Sequence, residues 1–244
     1  MKQAFFKILS TRQIAPHVFE TVLAGDTSAI TAPGQFVNIK IEGLFLRRPI
    51  SVCDFAKGKL TLLYKVVGEG TRRLAEKKAG ESLDLLVGLG NGFDVSRSGK
   101  NPLLIGGGIG VPPLYGLCRA ILAAGGMPRV IMGFATEREI VYQKEFEALG
   151  VSVDVATLNG SAGTRGYVTQ LVDRAPYSYF YACGPEAMLR AVCHACDTDG
   201  ELSFEERMGC GFGACMGCSC KTLTGNKRIC KEGPVMKKEE ILWD

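Results

Sequence analysis

The sequence predicts an α+β multidomain chain: an antiparallel β-barrel, then an α/β domain built on a parallel sheet, then a small C-terminal segment organised by cysteines. Three observations predict it. Up to about residue 98 the chain reads as short apolar runs broken by turns, with no long helical period, which suits an antiparallel barrel. From 99 to about 200, strand-like and helix-like stretches alternate, the pattern of a parallel sheet covered on both faces. The stretch 201–244 carries Cys210, Cys215, Cys218, Cys220 and Cys230, half of the chain's ten cysteines.

In the barrel the expected strands are 4–9, 18–23, 35–41, 48–54, 59–67 and 82–87, with Pro33-Gly34 and Lys57-Gly58 as turns and one helix at 71–78. The run Arg47-Arg48-Pro49-Ile50-Ser51 sets a guanidinium, a rigid proline and a hydroxyl within one strand. An arginine there can clamp a pyrophosphate through two parallel hydrogen bonds while Ser51 faces a ring. Gly68-Glu69-Gly70-Thr71 then opens the helix, whose free amides make a second anion site. Each signal alone is weak, and a surface arginine or a plain glycine turn is then the better reading. Their spacing, ahead of a glycine-rich second domain, makes the pair specific.

In the second domain the expected strands are 102–105, 129–134, 151–156 and 179–182, and the expected helices 112–124, 138–149, 167–173 and 186–196. Ligands of such sheets sit at the carboxyl ends of the strands. Gly106-Gly107-Gly108-Ile109-Gly110 directly follows the first strand and precedes a helix, as a phosphate-cradling loop should. It departs from the dinucleotide fingerprint, because Val111 stands at the third glycine or alanine position. Cys183-Gly184-Pro185 likewise joins the end of the fourth strand to a helix. The ordinary reading of Cys183 is a small buried thiol before a turn.

The cysteines Cys210, Cys215 and Cys218 follow a C-x4-C-x2-C spacing with Cys230 a short loop later, the ligand spacing of plant-type [2Fe-2S] centres. Gly211, Gly213 and Gly217 let the loop bend sharply and bring amides near the sulfurs. Structural zinc is an alternative, although it usually takes two short cysteine knuckles and only one is present. Disulfides are another, and they belong mainly to small secreted chains. Cys220 reads as a spare. Cys193 and Cys196 fall at the C-terminal end of a helix, where the dipole disfavours a thiolate, so they read as core, as do Cys53 and Cys118.

Composition narrows the function classes. Net charge is only +4 and the basic residues are scattered, which gives no support to nucleic-acid or membrane-surface binding. No apolar run reaches membrane-spanning length, and residues 1–7 hold too short an apolar run for a signal core, so a soluble cytoplasmic protein is expected. Only His17 and His194 are available, and neither lies near a nucleophile or carboxylate pair, so hydrolytic catalysis lacks material.

Arg48-Pro49-Ile50-Ser51, Tyr64-Lys65-Val66 and Gly70-Thr71 resemble the flavin-binding signature of the ferredoxin-reductase superfamily, and the glycine run with the Cys-Gly-Pro turn resembles its pyridine-nucleotide domain. The order of the three parts, with the wording Glu-Glu-Arg-Met-x-Cys-Gly-x-Gly-Ala-Cys from 205 onward, closely resembles the family of class B dihydroorotate dehydrogenase electron-transfer subunits over nearly the whole chain. The resemblance implies an FAD barrel at 1–98, an NAD domain at 99–200 and a [2Fe-2S] domain at 201–244. It implies that Arg48 contacts the FAD phosphates, with Pro49, Ile50, Ser51, Leu63, Tyr64, Lys65, Gly70 and Thr71 completing that pocket and Ser51 near the flavin ring. NAD would then meet Gly106, Gly107, Gly108, Gly110, Gly184 and Pro185, with Cys183 at the hydride-transfer site and Cys210, Cys215, Cys218 and Cys230 as cluster ligands.

The implied partner is an FMN-containing dihydroorotate dehydrogenase catalytic subunit, two copies of each forming a heterotetramer in pyrimidine biosynthesis. Phe212, Met216 and Trp243 are the expected partner-facing residues. The residues around Thr136, Glu137 and Arg138 leave NAD against NADP open, and the resemblance favours NAD. Competing expectations are a flavin reductase subunit for ferredoxin or sulfur compounds, and a zinc-stabilised binding module.

Overall fold

The computed structural model describes residues 1–243 and begins with a closed six-stranded antiparallel barrel. Its strands are β1 (Lys2–Ala15), β2 (Val18–Ala24), β3 (Phe36–Ile39), β4 (Arg48–Ala56), β5 (Lys59–Lys65) and β6 (Ser82–Leu89), joined in the order β1-β2-β5-β4-β3-β6. Alternation makes this possible: in β6, Leu83, Leu85, Val87 and Leu89 are buried while the residues between them are not. Of this set, Leu83, Leu85 and Val87 meet Phe6, Ile8, Leu23, Val37, Ile39, Leu60 and Leu62 in one core. Each such side chain contributes roughly 1.5–3 kcal/mol by leaving water. Strand β1 runs six residues past the expected end at 9, because the polar stretch Ser10-Thr11-Arg12-Gln13 is mostly exposed yet still pairs with β2 across two register shifts. The one barrel helix, α1 (Glu69–Ala75), starts two residues earlier than expected, where Thr71 Oγ1 accepts hydrogen bonds from the amides of Val67 and Gly68 at 3.0 and 3.3 Å.

The second part is a seven-stranded sheet. Its strands are β7 (Leu103–Gly107), β8 (Arg129–Phe134), β9 (Ser152–Thr157), β10 (Thr164–Arg165), β11 (Phe180–Cys183), β12 (Gly200–Ser203) and, beyond a two-stranded hairpin of β13 (Ser219–Thr222) and β14 (Gly225–Arg228), β15 (Val235–Lys237). The order is β10-β9-β8-β7-β11-β12-β15, all parallel except β15. Strands β12 and β15 have no counterpart among the expected elements, and the expected boundary between 200 and 201 falls inside β12. Leu103 and Ile105 point to one face, packed by α4 (Glu186–Ala195), and Leu104 to the other, packed by α2 (Pro113–Ala123) and α3 (Gln143–Glu147). The face under α4 also takes Cys218, Ile229, Cys230 and Met236, while the face under α2 takes Val18, Cys53 and Leu63 of the barrel. One sheet therefore receives the barrel on one side and the cysteine segment on the other.

Two elements differ from their patterns, one in length and one in type. Helix α3 covers five residues because Tyr142, left-handed at φ 64°, turns the chain just before it. The Tyr142 hydroxyl donates to Glu20 Oε2 at 2.7 Å, and Glu20 Oε1 accepts from Arg12 Nε at 2.6 Å, so that turn is tied to the barrel. The helix expected at 167–173 is a 3₁₀ segment, Val168–Arg174. No helix among the described residues is long and apolar enough to cross a membrane.

A buried carboxylate marks the joint between the parts. Glu201 on β12 is 4% exposed and accepts a hydrogen bond from the Asp94 amide at 2.9 Å. Burial pushes its carboxyl up to about 7, against the opposing pull of that amide and of Arg97 and Lys237. Between about pH 4 and 7 the folded chain thus binds more protons than the unfolded one, so stability falls as pH rises through this window. Glu201→Gln is expected to leave the melting temperature near that of the native chain at pH 5 and to raise it at pH 8, by up to roughly 3 kcal/mol of stability. Thermal unfolding at the two pH values checks this, and an equal shift at both would refute it.

Candidate functional site

Strand pairing builds the first cavity. Strand β3 lies antiparallel to β4 with Phe36 opposite Ser51 and Asn38 opposite Pro49. Around this pair opens a cavity of about 350 Å³. The barrel contributes Arg48, Pro49, Ile50, Ser51, Leu63, Tyr64, Lys65 and Thr71 to its wall, eight of the nine residues expected there. The ninth, Gly70, sits beneath Arg48: a Cβ at Gly70 would lie 2.1 Å from Arg48 Nε. Absence of that atom lets the guanidinium lie flat over the start of α1. The two adjacent arginines divide their work. Arg47 is bound to Asp84 through two nitrogens at 3.0 Å and also donates to the backbone oxygens of Asn38 and Asp84, so it is part of the scaffold. Arg48 reaches only the Leu46 and Arg47 carbonyls and turns its charge to the cavity.

The glycine run is the meeting point of this cavity and a second one. Ile109 lines the barrel cavity, whereas Gly107 and Gly108 line an apolar cavity of about 580 Å³ with Gly133, Phe134, Ala135, Leu158, Tyr167, Pro185 and Met188. This second cavity lies at the carboxyl ends of β7, β8 and β11, where the strand order reverses on either side of β7. Gly106, Gly107 and Gly110 each have a close neighbour, whereas a Cβ at Gly108 would meet nothing within 4 Å. A Cβ at Gly106 would strike Val111, at Gly107 Met188 Sδ at 2.4 Å, and at Gly110 the Cys183 carbonyl at 2.3 Å. Gly106 and Gly110 thus serve packing and line neither cavity. Val111, which breaks the dinucleotide fingerprint, is fully buried in the same cluster as Leu114 and Leu117 of α2. Cys183 is 3% exposed, and burial pushes its thiol up to about 12. It lines neither of the two cavities and is neutral at pH 7, unlike a nucleophilic thiolate. The turn Glu137–Glu139 stands just past Ala135, held by the Glu137 amide donating to Ser161 Oγ at 2.7 Å.

The cysteine loop completes the wall. Phe204, Glu205, Glu206, Met208 and Pro234 flank the cysteines and all line the barrel cavity. The sulfurs stand as two pairs. The Cys210 and Cys215 amides each point at the other residue's sulfur at 3.5 Å, and the Ala214 amide donates to Cys210 Sγ at 3.2 Å. The Cys230 amide donates to Cys218 Sγ at 3.4 Å. Among the described residues no three ligating side chains stand at metal-binding spacing, but two pairs of thiols are what two irons, each with two thiolates, require.

Backbone and charge fit the same group. Gly211 and Gly213 take φ of 77° and 91°, which aims neighbouring amides at sulfur. Desolvation raises the Cys210 thiol, yet the amides of Phe212, Cys215 and Ala214 outweigh it and bring it down to about 6, as a site for anionic sulfur needs. Burial and the facing Cys218 thiol push Cys230 up to about 12. Cys220 turns elsewhere, its thiol on the Lys227 carbonyl at 3.5 Å.

Comparison with known proteins reads this arrangement independently. Residues 205–242 match the model of the iron-sulfur cluster binding domain of dihydroorotate dehydrogenase B, and residues 104–194 match the oxidoreductase NAD-binding domain. The dihydroorotate dehydrogenase B (NAD+) electron transfer subunit of Bacillus pumilus is 40% identical over 99% of this chain and 98% of its own length. The chain belongs to the dihydroorotate dehydrogenase B electron transfer subunit family. The corresponding protein of a Geobacillus species is 41% identical over 99% of both chains. In structure, the NADH-dependent reduced ferredoxin-NADP oxidoreductase superposes with a TM-score of 0.89 at 29% identity, covering 98% of this chain and 90% of that one.

For a dihydroorotate dehydrogenase B electron transfer chain, the barrel, parallel sheet and cysteine segment are the expected fold, and an oxidoreductase with FAD, NAD and [2Fe-2S] is the expected function. Sequence reasoning misses the cavity residues Phe36, Val67, Ile109, Phe204, Glu205, Glu206, Met208 and Pro234, which come from five separate stretches. The Glu-Glu-Arg-Met wording is the available signal, and by itself it points only toward the cysteines. Of the expected partner-facing residues, Phe212 and Met216 are exposed at 42% and 54%. Trp243 is turned inward instead, its Nε1 donating to Cys193 Sγ at 3.4 Å and its ring 5.9 Å from Phe204.

Proposed function

We propose that this chain passes electrons between NAD and an FMN-bearing dihydroorotate dehydrogenase subunit in a cytoplasmic assembly of two copies of each. FAD would be held by Arg48–Ser51, Leu63–Lys65, Gly70 and Thr71, NAD by the glycine run with Gly184 and Pro185, and [2Fe-2S] by Cys210, Cys215, Cys218 and Cys230. Nicotinamide exchanges hydride, a [2Fe-2S] cluster single electrons and flavin either, so flavin belongs between the other two. The observation that carries the reading is that one cavity is walled by all three parts of the chain: the barrel, Ile109 of the glycine run, and both flanks of the cysteine loop.

The residues have distinct tasks. Arg48 supplies a fixed cation for a pyrophosphate, and Thr71 closes the other end of the same wall. Ser51 offers a hydroxyl opposite Phe36, where a flavin ring would lie. Gly110 lets the glycine run close on the backbone of the Cys-Gly-Pro turn, and Cys183 is held there as a protonated, buried thiol. Exposed Phe212 and Met216, beside exposed Cys215, form the face for the catalytic partner, where the dihydroorotate chemistry would occur.

The test is to express the chain with and without the catalytic subunit. The expected result is flavin absorbance, iron and acid-labile sulfide in the chain, and dihydroorotate-dependent NAD+ reduction only in the complex. Colourless protein, or a complex that lacks this activity, would overturn the reading. A second reading, a reductase subunit for another acceptor, draws on the likeness to ferredoxin-NADP oxidoreductase. It predicts NADH-dependent reduction of ferredoxin at comparable rates with no partner present.

A further inference from the structure

The cysteine loop is fastened to the flavin barrel at two points. At its closing end, Asn91 donates to the Glu232 and Val235 carbonyls at 3.0 and 2.7 Å and accepts from the Val235 amide at 3.0 Å. At its opening end a single side chain makes the contact: Asn38 Nδ2 donates to the Cys210 carbonyl at 3.1 Å. Neither asparagine lines the barrel cavity or the apolar one, and neither belongs to a motif.

Strand β3 explains the position of Asn38. Val37 and Ile39 face the barrel core, so Phe36 and Asn38 face outward, toward the cysteine segment. Phe36 lines the barrel cavity and shares an apolar cluster with Cys218 and Cys230. Asn38, 1% exposed, lies beside Pro49, another cavity residue, and holds the Cys210 backbone. The fit is close from the loop's side too: a Cβ at Gly211 would lie 2.3 Å from Asn38 Nδ2, so only glycine lets the loop settle there. The Asn38 Oδ1 is buried without a hydrogen-bond partner among the described residues, a state that costs about 1–3 kcal/mol. An apolar residue of the same shape would avoid that cost. The amide therefore points to a task other than stability.

We infer that Asn38 is a positioning residue for electron transfer: by docking Cys210 on β3 it fixes the separation between the flavin site and the barrel-facing edge of the cluster. The inference rests on the proposed flavin and [2Fe-2S] function. When loaded, the flavin would take hydride from NADH as the first step, and the cluster would draw electrons from the flavin singly as the second. Asn38 touches neither the nicotinamide cavity nor a ligand sulfur, so it governs the second step alone.

The experiment is anaerobic stopped-flow mixing of the loaded subunit with NADH, following flavin bleaching and cluster reduction at separate wavelengths, with EPR of the reduced cluster. Asn38→Ala opens the tether, and Asn38→Leu removes the donor while keeping the volume, which protects against simple misfolding. Flavin bleaching is expected within twofold of the native chain, with unchanged iron content and EPR g-values, while cluster reduction slows about ten- to a hundredfold. Cluster reduction at the native rate in both variants, an equal slowing of both steps, or loss of iron would each overturn the inference. Native protein without flavin or iron would instead overturn the functional reading beneath it.

Discussion

Cys230→Ser and Cys218→Ser are expected to bring iron and acid-labile sulfide down at least tenfold while flavin content and its reduction by NADH persist. Both thiols are buried, at 2% and 3% exposure, and adjacent, with the Cys230 amide on the Cys218 sulfur. Serine in either place offers a harder oxygen whose proton is far more firmly held, and it cannot replace a thiolate between two irons. The barrel cavity includes none of the four cysteines, so its flavin should survive. Cys220→Ser is the discriminating control. Its thiol sits on the β13–β14 hairpin and is engaged by the Lys227 carbonyl, outside the two sulfur pairs, so iron content should not change. Iron lost in Cys220→Ser but kept in Cys230→Ser would exchange the fourth ligand. Since cluster binding and loop folding are linked, the two damaging substitutions should also expose residues 205–234 to proteolysis.

The chain shows which parts of such a site a sequence discloses. Cysteine spacing, the glycine run and the Arg-Pro-x-Ser signature are local: a few residues set the chemistry and the bend together. They are legible for that reason. Asn38 meets Cys210 across 172 positions and Asn91 meets Val235 across 144, and nothing periodic near either residue marks it. The same reason hides β12 and β15. Gly200–Ser203 is fully buried and too short for a pattern, and Val235–Lys237 becomes a strand only because β12 offers an edge. Glycine roles are half legible. The run reads as one phosphate loop, yet Gly106 and Gly110 serve close packing, and only Gly107 and Gly108 reach the cavity.

Arg48→Ala is expected to weaken FAD binding by roughly a hundredfold, about 3 kcal/mol, as the loss of charge-assisted hydrogen bonds to a pyrophosphate should. Arg47→Ala tests the division between the neighbouring arginines. It removes the bidentate partner of Asp84, in a pair whose side chains are 20% and 13% exposed, so it should lower thermal stability and leave the affinity of the folded protein for FAD nearly intact. Gly70→Ala then separates position from charge. The three atoms nearest the added methyl all belong to the flexible side chain of Arg48, Nε at 2.1 Å and Cδ and Cζ at 2.8 Å, so the closest clash is relieved by moving that side chain. Alanine inside α1 should even favour the helix by about 1 kcal/mol. The guanidinium, however, must leave its bed over α1. Gly70→Ala is therefore expected to melt no lower than the native chain and still to lose FAD affinity at least tenfold, read by flavin fluorescence on dilution. If Gly70→Ala bound FAD as tightly as the native protein while Arg48→Ala did not, the arginine would matter for its charge wherever it lay, and its placement over the helix would be incidental.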